Sequence, residues 1–361
     1  MLKLPQRHSL EKQTALVLQE EIAKGTWRDL LPGERSLCDM LQISRHTLRA
    51  ALVQLRSEGV ISSEQGVGNR IVADRKARGA VPPVAQDVGL LVSGALDNLL
   101  PKHILWIDQL RAMLGERGCR LHTFHGRKFA QRDPGRVLQR LLAQQPHKCW
   151  ILLLSAEAVQ KWFEKQKVPC VVAGTIYAGI DLPYCDLDHR AVCRHAAGLL
   201  LSRGHRQMAL VIQKSRRAGD LESEAGFTEG IRQSAHTDTE VMIGYHDATA
   251  AGIVTTVKRL MQRQPTPTAL LVNNPFHYLT VVGSLVRLGY RVPEDVSVMS
   301  RDGEPYFSYL IPAPTHYAID PRQFARSLLV PVLQLLQGGA VTKRALHIMP
   351  EFQAGQSVTS R

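Results

Sequence analysis

The strongest chemical signal in the sequence is one short basic segment, Ser44-Arg-His-Thr-Leu-Arg-Ala-Ala-Leu-Val-Gln-Leu-Arg56, which holds Arg45, Arg49 and Arg56 and has no acidic residue before Glu58. Arg45 and Arg49 are four apart, which on a helix places both guanidinium groups on one face. A guanidinium can bond the edge of a guanine through two parallel N–H groups, or clamp a phosphate. Ser44 and Thr47 open the same segment, where hydroxyls and free backbone N–H groups suit phosphate oxygens. This chemistry points to double-stranded DNA as a partner.

A second set of polar residues lies far downstream. Asn273 and Asp302 each follow a short β-rich run, 269–273 and 296–300. An amide and a carboxylate can each satisfy several buried hydroxyl groups, so the pair suits a polyol. Asp247 follows the run 241–245 in the same way and is expected at the same place. Gln213-Lys-Ser-Arg-Arg217 follows the run 208–212, and with Arg301 it offers an alternative: an anionic ligand held by guanidinium groups. His103, His122, His125, His205 and His246 have no metal-ligand spacing, so neither a metal nor a cofactor is expected. A dinucleotide glycine fingerprint, a Walker glycine loop, a G-x-S-x-G elbow and an H-E-x-x-H pair are all absent, which opposes an enzyme.

The elements that would carry these residues follow from periodicity. Leu10, Leu16, Leu18 and Ile22 mark a first helical stretch ending near Gly25. Leu31-Pro-Gly-Glu34 turns into a second helix with Leu37 and Leu41 inward. Ser44 caps a third, on which Leu48, Ala51, Leu52 and Leu55 recur at three- and four-residue spacing. Val60-Ile61 and Ile71-Val72 flank Gly66-Val-Gly68 and predict a small hairpin. Residues 74–86 are polar, then proline-rich, and read as a linker. From Asp87 onward short β-rich runs alternate with helical spacing: 88–92, 119–124, 149–154, 170–174, 208–212, 241–245, 269–273 and 296–300. That rhythm predicts repeated βαβ units, hence parallel sheets covered by helices. The span is long for one sheet, so two doubly wound subdomains with a cleft between them are expected.

Composition agrees. The chain has 361 residues, 44% hydrophobic and 21% charged, as a core-forming protein should. Net charge is +13, which favours a polyanionic partner. The excess is +4 over residues 1–80 and +9 over the rest, so only local clustering can locate a site. Six cysteines without a C-x-x-C pair read as free thiols in a reducing compartment. No apolar run reaches the roughly 20 residues of a membrane helix, and the first residues lack a leader-like apolar stretch. A cytoplasmic, nucleoid-associated protein is expected.

Leu31-Pro-Gly-Glu-Arg-Ser-Leu37, Ile43-Ser-Arg-His-Thr-Leu-Arg-Ala-Ala-Leu52, Glu58-Gly-Val-Ile61 and Gly66-Val-Gly68 together resemble the GntR-family winged helix-turn-helix. The resemblance implies DNA contacts from Arg35, Ser44, Arg45, Thr47, Arg49 and the wing residues Gly66, Gly68 and Asn69. Asn69 departs from the threonine usual there. Further on, Asp188-His-Arg-Ala191, Leu201-Ser-Arg-Gly-His-Arg206, Glu224-Ala-Gly-Phe227, Pro267-Thr-Ala-Leu-Leu-Val-Asn273 and Leu288-Gly-Tyr-Arg-Val-Pro-Glu-Asp-Val-Ser-Val298 resemble the LacI-type effector domain, which has the periplasmic sugar-binding fold. The combined architecture is similar to that of the bacterial arabinose repressors.

The second resemblance implies a hinged cleft for a small sugar-like effector, with Asn273 and Asp302 on positions that bond ligand hydroxyls. It also exposes departures. Ser223 stands where an arginine often grips ligand. Asn98-Leu-Leu-Pro101 is all that remains of an aromatic cleft motif, leaving Asn98 as its candidate. The turn Ser300-Arg-Asp-Gly303 replaces a glycine-aromatic-Asp-Asp turn. The expectation is therefore a winged helix-turn-helix domain over residues 1–75, a linker over 76–86, and an α/β effector and dimerisation domain of periplasmic-binding-protein type over 87–361. Together they make a homodimeric, ligand-responsive transcription regulator, with repression the expected sign. The alternatives are a regulator whose cleft binds an anionic non-sugar ligand and, behind it, an α/β enzyme.

Overall fold

The structure, a computed structural model, describes residues 10–23, 26–27, 29–64, 68–72, 87–96, 99–215, 217–234 and 238–361. The chain divides into two compact units, Met1–Pro83 and Val84–Arg361. The expected linker at 76–86 lies outside the described residues.

The first unit holds helices α1 (Leu10–Ala23), α2 (Glu34–Leu41) and α3 (Arg45–Ser57), and strands β1 (Ile61–Glu64) and β2 (Gly68–Ile71). The strands pair antiparallel, with Ile61 opposite Ile71. Gln42 adopts a left-handed conformation, φ 53°, and ends α2. Ser44 then caps α3, its hydroxyl accepting the N–H of Thr47 at 3.1 Å and so satisfying a free donor of the first turn. Leu18, Leu37, Leu48, Ala51, Leu52, Leu55 and Ile61 form one core. Of the leucines that mark α1, Leu10 and Leu16 are exposed, while Leu18 is buried together with Thr14 and Ala15. The inward face of α1 is thus built partly from small residues.

The second unit contains two six-stranded sheets. The first comprises β3 (Val88–Val92), β4 (Leu121–His125), β5 (Cys149–Leu153), β6 (Cys170–Ala173), β7 (Tyr184–Leu187) and a late strand, β13 (Ala345–Ile348), in the order β13-β7-β6-β5-β3-β4. The second comprises β8 (Gln207–Gln213), β9 (Glu240–His246), β10 (Ala269–Val272), β11 (Ser297–Ser300), β12 (Thr315–Ala318) and β14 (Glu351–Gln353), in the order β14-β12-β11-β10-β8-β9. Every pairing is parallel except β12 with β14. The central strands are buried along their whole length, as parallel strands covered on both faces must be.

Helices α4 (Pro101–Gly115), α5 (Gly135–Gln144), α6 (Glu157–Lys165) and α11 (Pro321–Leu336) cover the first sheet. Helices α7 (His189–Ser202), α8 (Ala218–Arg232), α9 (Ala250–Met261) and α10 (Pro275–Arg287) cover the second. The chain therefore crosses between subdomains three times: after β7, between β12 and α11, and between β13 and β14. Gly226 of α8 packs on α7 so closely that a Cβ would overlap the carbonyl of Arg190, and Phe227 beside it is fully buried.

Eight β-rich runs of the sequence are strands. Four further strands, β7, β12, β13 and β14, escape the pattern because they are short and mix polar with apolar residues where the chain crosses or pairs at an edge. No helix among the described residues is long and apolar enough to cross a membrane.

Candidate functional sites

On α3, the face opposite the core carries Arg45, His46, Arg49, Val53 and Arg56, all exposed. Core burial of Leu48, Leu52 and Leu55 at helical spacing leaves that face outward. Arg35 on α2 is exposed as well. Arg49 Nε lies 3.0 Å from Glu34 Oε2, an ion pair that spans α2 and α3 and aims the side chain. Ser44 Oγ and Thr47 Oγ1 share a hydrogen bond of 2.8 Å, and Thr47 is only 8% exposed. With Ser44 as the donor of that bond, the Thr47 hydroxyl keeps its own O–H for a phosphate.

In the hairpin, Gly66 lies outside the described residues. Gly68 has φ +112°, a conformation side chains rarely adopt, which accounts for glycine there. The Asn69 carbonyl oxygen Oδ1 accepts Arg56 Nε at 3.3 Å and Nη2 at 3.0 Å. Asn69 thus ties the hairpin to the end of α3. Sequence reading missed this pair, because residues 13 apart share no local pattern.

In the second unit, a cavity of about 210 Å³ opens between the two sheets. Its walls come from the carboxyl ends of parallel strands, where open α/β sheets place their crevices. Ser155, Thr175 and Asp186 follow or end strands of the first sheet; Gln213, Asn273, Arg301 and Asp302 end or follow strands of the second. The first turns of α4 and α8 complete it with Lys102, His103, Gly219 and Asp220. Trp106 and Phe324, with ring centroids 5.2 Å apart, make an apolar wall.

Asp302 is the centre of the polar network and is 3% exposed. Its Oδ2 accepts Arg301 Nη2 at 2.6 Å and Nε at 3.2 Å, and its Oδ1 lies 3.0 Å from Lys102 Nζ. Burial works against the carboxylate, but Arg301 and Lys102 hold its pKa far below the usual range. Burial likewise opposes the Arg301 charge, and Asp302 and Asp220 raise its pKa nonetheless.

Arg301 Nη1 donates to Ser223 Oγ at 2.8 Å and lies 3.8 Å from Asp220 Oδ1. Ser223 is fully buried and donates to the carbonyl of Gly219 at 2.7 Å. The position where the resemblance leads one to expect an arginine therefore holds a small hydroxyl, and a guanidinium reaches it from the end of β11. Both departures were visible in the sequence, but not that they meet.

Asn273 donates from Nδ2 to Asp220 Oδ1 at 2.6 Å, and its own Oδ1 is buried without a hydrogen-bond partner. Ser215 bonds the other oxygen of Asp220. Asn274 caps α10, accepting Phe276 N at 2.9 Å. Across the cavity, Asp186 accepts Thr175 Oγ1 at 2.6 Å and has His189 Nε2 at 3.4 Å; burial opposes its charge, yet His189 and Thr175 keep its pKa low. Burial, then Lys102, pushes His103 down to about 3; burial, then His246, pushes His277 down to about 4. Burial raises Glu304, just beyond Asp302, to about 7.

Asn273 and Asp302 thus meet at the cavity, while Ser223 lies behind it. Asp247 is a correction: it is exposed and does not line the cavity. Its Oδ1 accepts the Thr249 N–H at 2.9 Å and hydroxyl at 2.7 Å, a turn that leads into α9. β9 is the edge strand of its sheet, so its carboxyl end falls to one side of the crevice. Asn98 and Arg216 lie outside the described residues. Lys102, Asp186, His189 and Asp220 were not legible as site residues, since they belong to helix starts or to a strand whose placement only the fold decides.

The chain matches the model of bacterial regulatory proteins of the gntR family over residues 10–71, and that of the periplasmic binding protein-like domain over residues 197–358. Among curated relatives, the HTH-type transcriptional regulator CelR of Thermobifida fusca is 26% identical over 238 residues, covering 64% of this chain and 69% of that protein. Among solved structures, the transcriptional regulator CelR–cellobiose complex aligns with TM-score 0.66 at 20% identity, over 97% of this chain and 100% of that one. A LacI family transcriptional regulator from Bifidobacterium animalis subsp. lactis aligns with TM-score 0.66 at 20% identity, over 76% of this chain and 98% of that one. At such identities the structural likeness concerns the fold. The relatives are transcription regulators, not enzymes.

Proposed function

Because the chain is a transcription regulator that joins a GntR-type winged helix-turn-helix to a LacI-type, periplasmic binding protein-like effector domain, we propose that it represses transcription by binding operator DNA and releases it in response to an uncharged, sugar-like effector. The winged domain reads the major groove with Arg45 and Arg49, while Arg35, Ser44 and the wing hold phosphates. Two copies of the chain read two half-sites of a roughly palindromic operator, in the cytoplasm.

One observation carries the ligand class. Among the described residues, the cavity is lined by three cations, Lys102, Arg217 and Arg301, and three carboxylates, Asp186, Asp220 and Asp302. Two of the cations are already engaged by these carboxylates. A wall so balanced suits a neutral molecule rich in hydroxyls. The buried Asn273 Oδ1 accepts from one of them, and the Trp106–Phe324 wall covers an apolar sugar face. The cellobiose complex of a protein with this fold supports a carbohydrate. Arg217 makes no ion pair among the described residues and is what favours an anionic ligand instead.

A thermal-shift panel of neutral sugars, polyols, sugar acids and sugar phosphates separates the two. A ligand at a hundredfold excess over Kd stabilises by about 2.7 kcal/mol. Stabilisation by a neutral sugar, lost in Asn273→Ala and accompanied by release of DNA in a gel-shift titration, supports the reading. Stabilisation by anions alone, lost in Arg217→Ala, overturns it in favour of the alternative.

A further inference from the structure

Lys102 belongs to no motif of the sequence and was not a candidate at any position. It stands in the first turn of α4, in the first subdomain, with its side chain 15% exposed. Both of its donors cross the cleft. The ammonium lies 3.0 Å from Asp302 Oδ1, and the backbone N–H donates to Glu304 Oε2 at 3.1 Å. Asp302 and Glu304 follow β11, in the second subdomain, about 200 residues away in sequence. The acceptors are buried, Asp302 3% and Glu304 6% exposed.

A cleft protein of this kind ordinarily has its two halves bridged by what it binds. Here Lys102 supplies such a bridge from within the chain. We propose that Lys102 is a built-in latch, a side chain and a backbone N–H that together hold the effector domain closed through Asp302 and Glu304 before any effector arrives. The proposal goes beyond the ligand assignment, because it holds whatever enters the cavity.

The physics allows such a latch to open. Taking two charges out of water costs nearly as much as their attraction returns, and opening gives both groups their water back. The latch is therefore worth only a small net free energy, enough to favour the closed position while leaving an open one within reach. Arg301 keeps the other oxygen of Asp302 whether the latch is open or shut, since both belong to the second subdomain. An effector that needs Asp302 Oδ1 has to displace the Lys102 ammonium. One that bonds Asn273 Oδ1 leaves the latch in place.

Hydrogen exchange on the full-length protein without effector or DNA tests this. In Lys102→Met, which keeps the aliphatic stem, amides in the first turn of α4 and in the segment after β11 should exchange faster together. The increase should be about tenfold or more, the scale of losing one hydrogen bond to a charged group. The sheet strands should stay as protected as in the native chain, and Lys102→Arg should restore protection to both segments. Because Lys102→Met leaves Asp302 short of one counter-charge, Lys102→Met/Asp302→Asn serves as the charge-balanced variant if the first does not fold, with the same expected result. Native-like protection of both segments in the folded variant, or a change in one segment without the other, overturns the latch. No effector is present in this measurement, so its failure leaves the ligand assignment standing, and the reverse also holds.

Discussion

Arg45 and Arg301 carry the same guanidinium in opposite surroundings. Arg45 projects from α3 with no core contact, next to Arg49, whose own partner Glu34 is itself partly exposed. Arg301 is packed between Asp302, Asp220 and Ser223 at the carboxyl end of β11, its side chain 10% exposed. The first is a charge held ready for a partner outside the chain. The second is consumed inside it. Residue type alone could not separate them, and the sequence reading treated Arg301 as a possible ligand clamp. An exposed arginine is screened by salt and contributes to binding; a buried one mainly cancels charges that burial would otherwise make costly.

The largest effect should come from the buried member. Arg301→Ala leaves Asp302 and Asp220 without their shared counter-charge, and loss of one partner of a buried pair costs about 3–5 kcal/mol. Urea unfolding of the effector domain should show it. A midpoint equal to that of the native chain would break the contrast, because Arg301 would then be as free as Arg45.

Buried charge should also answer to pH. Glu304 titrates near 7 in the fold against an ordinary value of 4.5. Its raised pKa means the folded chain holds a proton that the unfolded chain has lost between those values. Its contribution is complete below about pH 4.5 and declines as pH rises through 7, by roughly 1–3 kcal/mol after allowance for the solvent that reaches it. Measured from pH 5 to 8, the stability of the native chain relative to Glu304→Gln should fall with that slope, on top of the opposite rise up to about pH 6.5 that the neutral His103 and His277 give to both proteins. An identical slope in the variant would assign the effect elsewhere.

The exposed member should behave otherwise. Arg45→Ala should cost about 1–3 kcal/mol in operator binding while leaving the unfolding midpoint within about 0.5 kcal/mol of native. Native operator affinity should fall steeply with salt, and less steeply in Arg45→Ala if that residue meets phosphate. Unchanged binding by Arg45→Ala/Arg49→Ala in a gel-shift titration would remove α3 as the reading helix.

Asp247 gives the smallest effect. Its carboxylate closes only the turn into α9, so Asp247→Ala should lower the unfolding midpoint only slightly and leave effector binding as it was. A loss of effector affinity in calorimetry would return Asp247 to the cleft.

Legibility differed between the two regions for a physical reason. In the winged domain the face proposed to meet DNA is the complement of the core face on one helix. Leu48, Ala51, Leu52 and Leu55 settle which way α3 turns, and the exposure of Arg45 and Arg49 follows. In the effector domain the buried runs of β5, β6, β8 and β10 announced parallel strands, and residues just past their ends were reasonable cleft candidates. That rule puts Asn273 and Asp302, after central strands, on the cavity wall, and it misplaces Asp247, after an edge strand, because sequence does not print strand order.

Sequence by itself therefore determined the kinds of element, the two domain types and the basic outward face of α3, all of which rest on local spacing: short continuous apolar runs for buried strands, three- and four-residue recurrence for helices. Only the tertiary structure decided that Arg301 fills the space beside Ser223, that Asn69 ties down Arg56, and that Lys102 crosses to Asp302. Each of these joins residues 13 to 200 positions apart. Whether a charge is spent within the fold or kept for a partner depends on what the packed chain brings within about 4 Å of it, and that distance is a property of the fold.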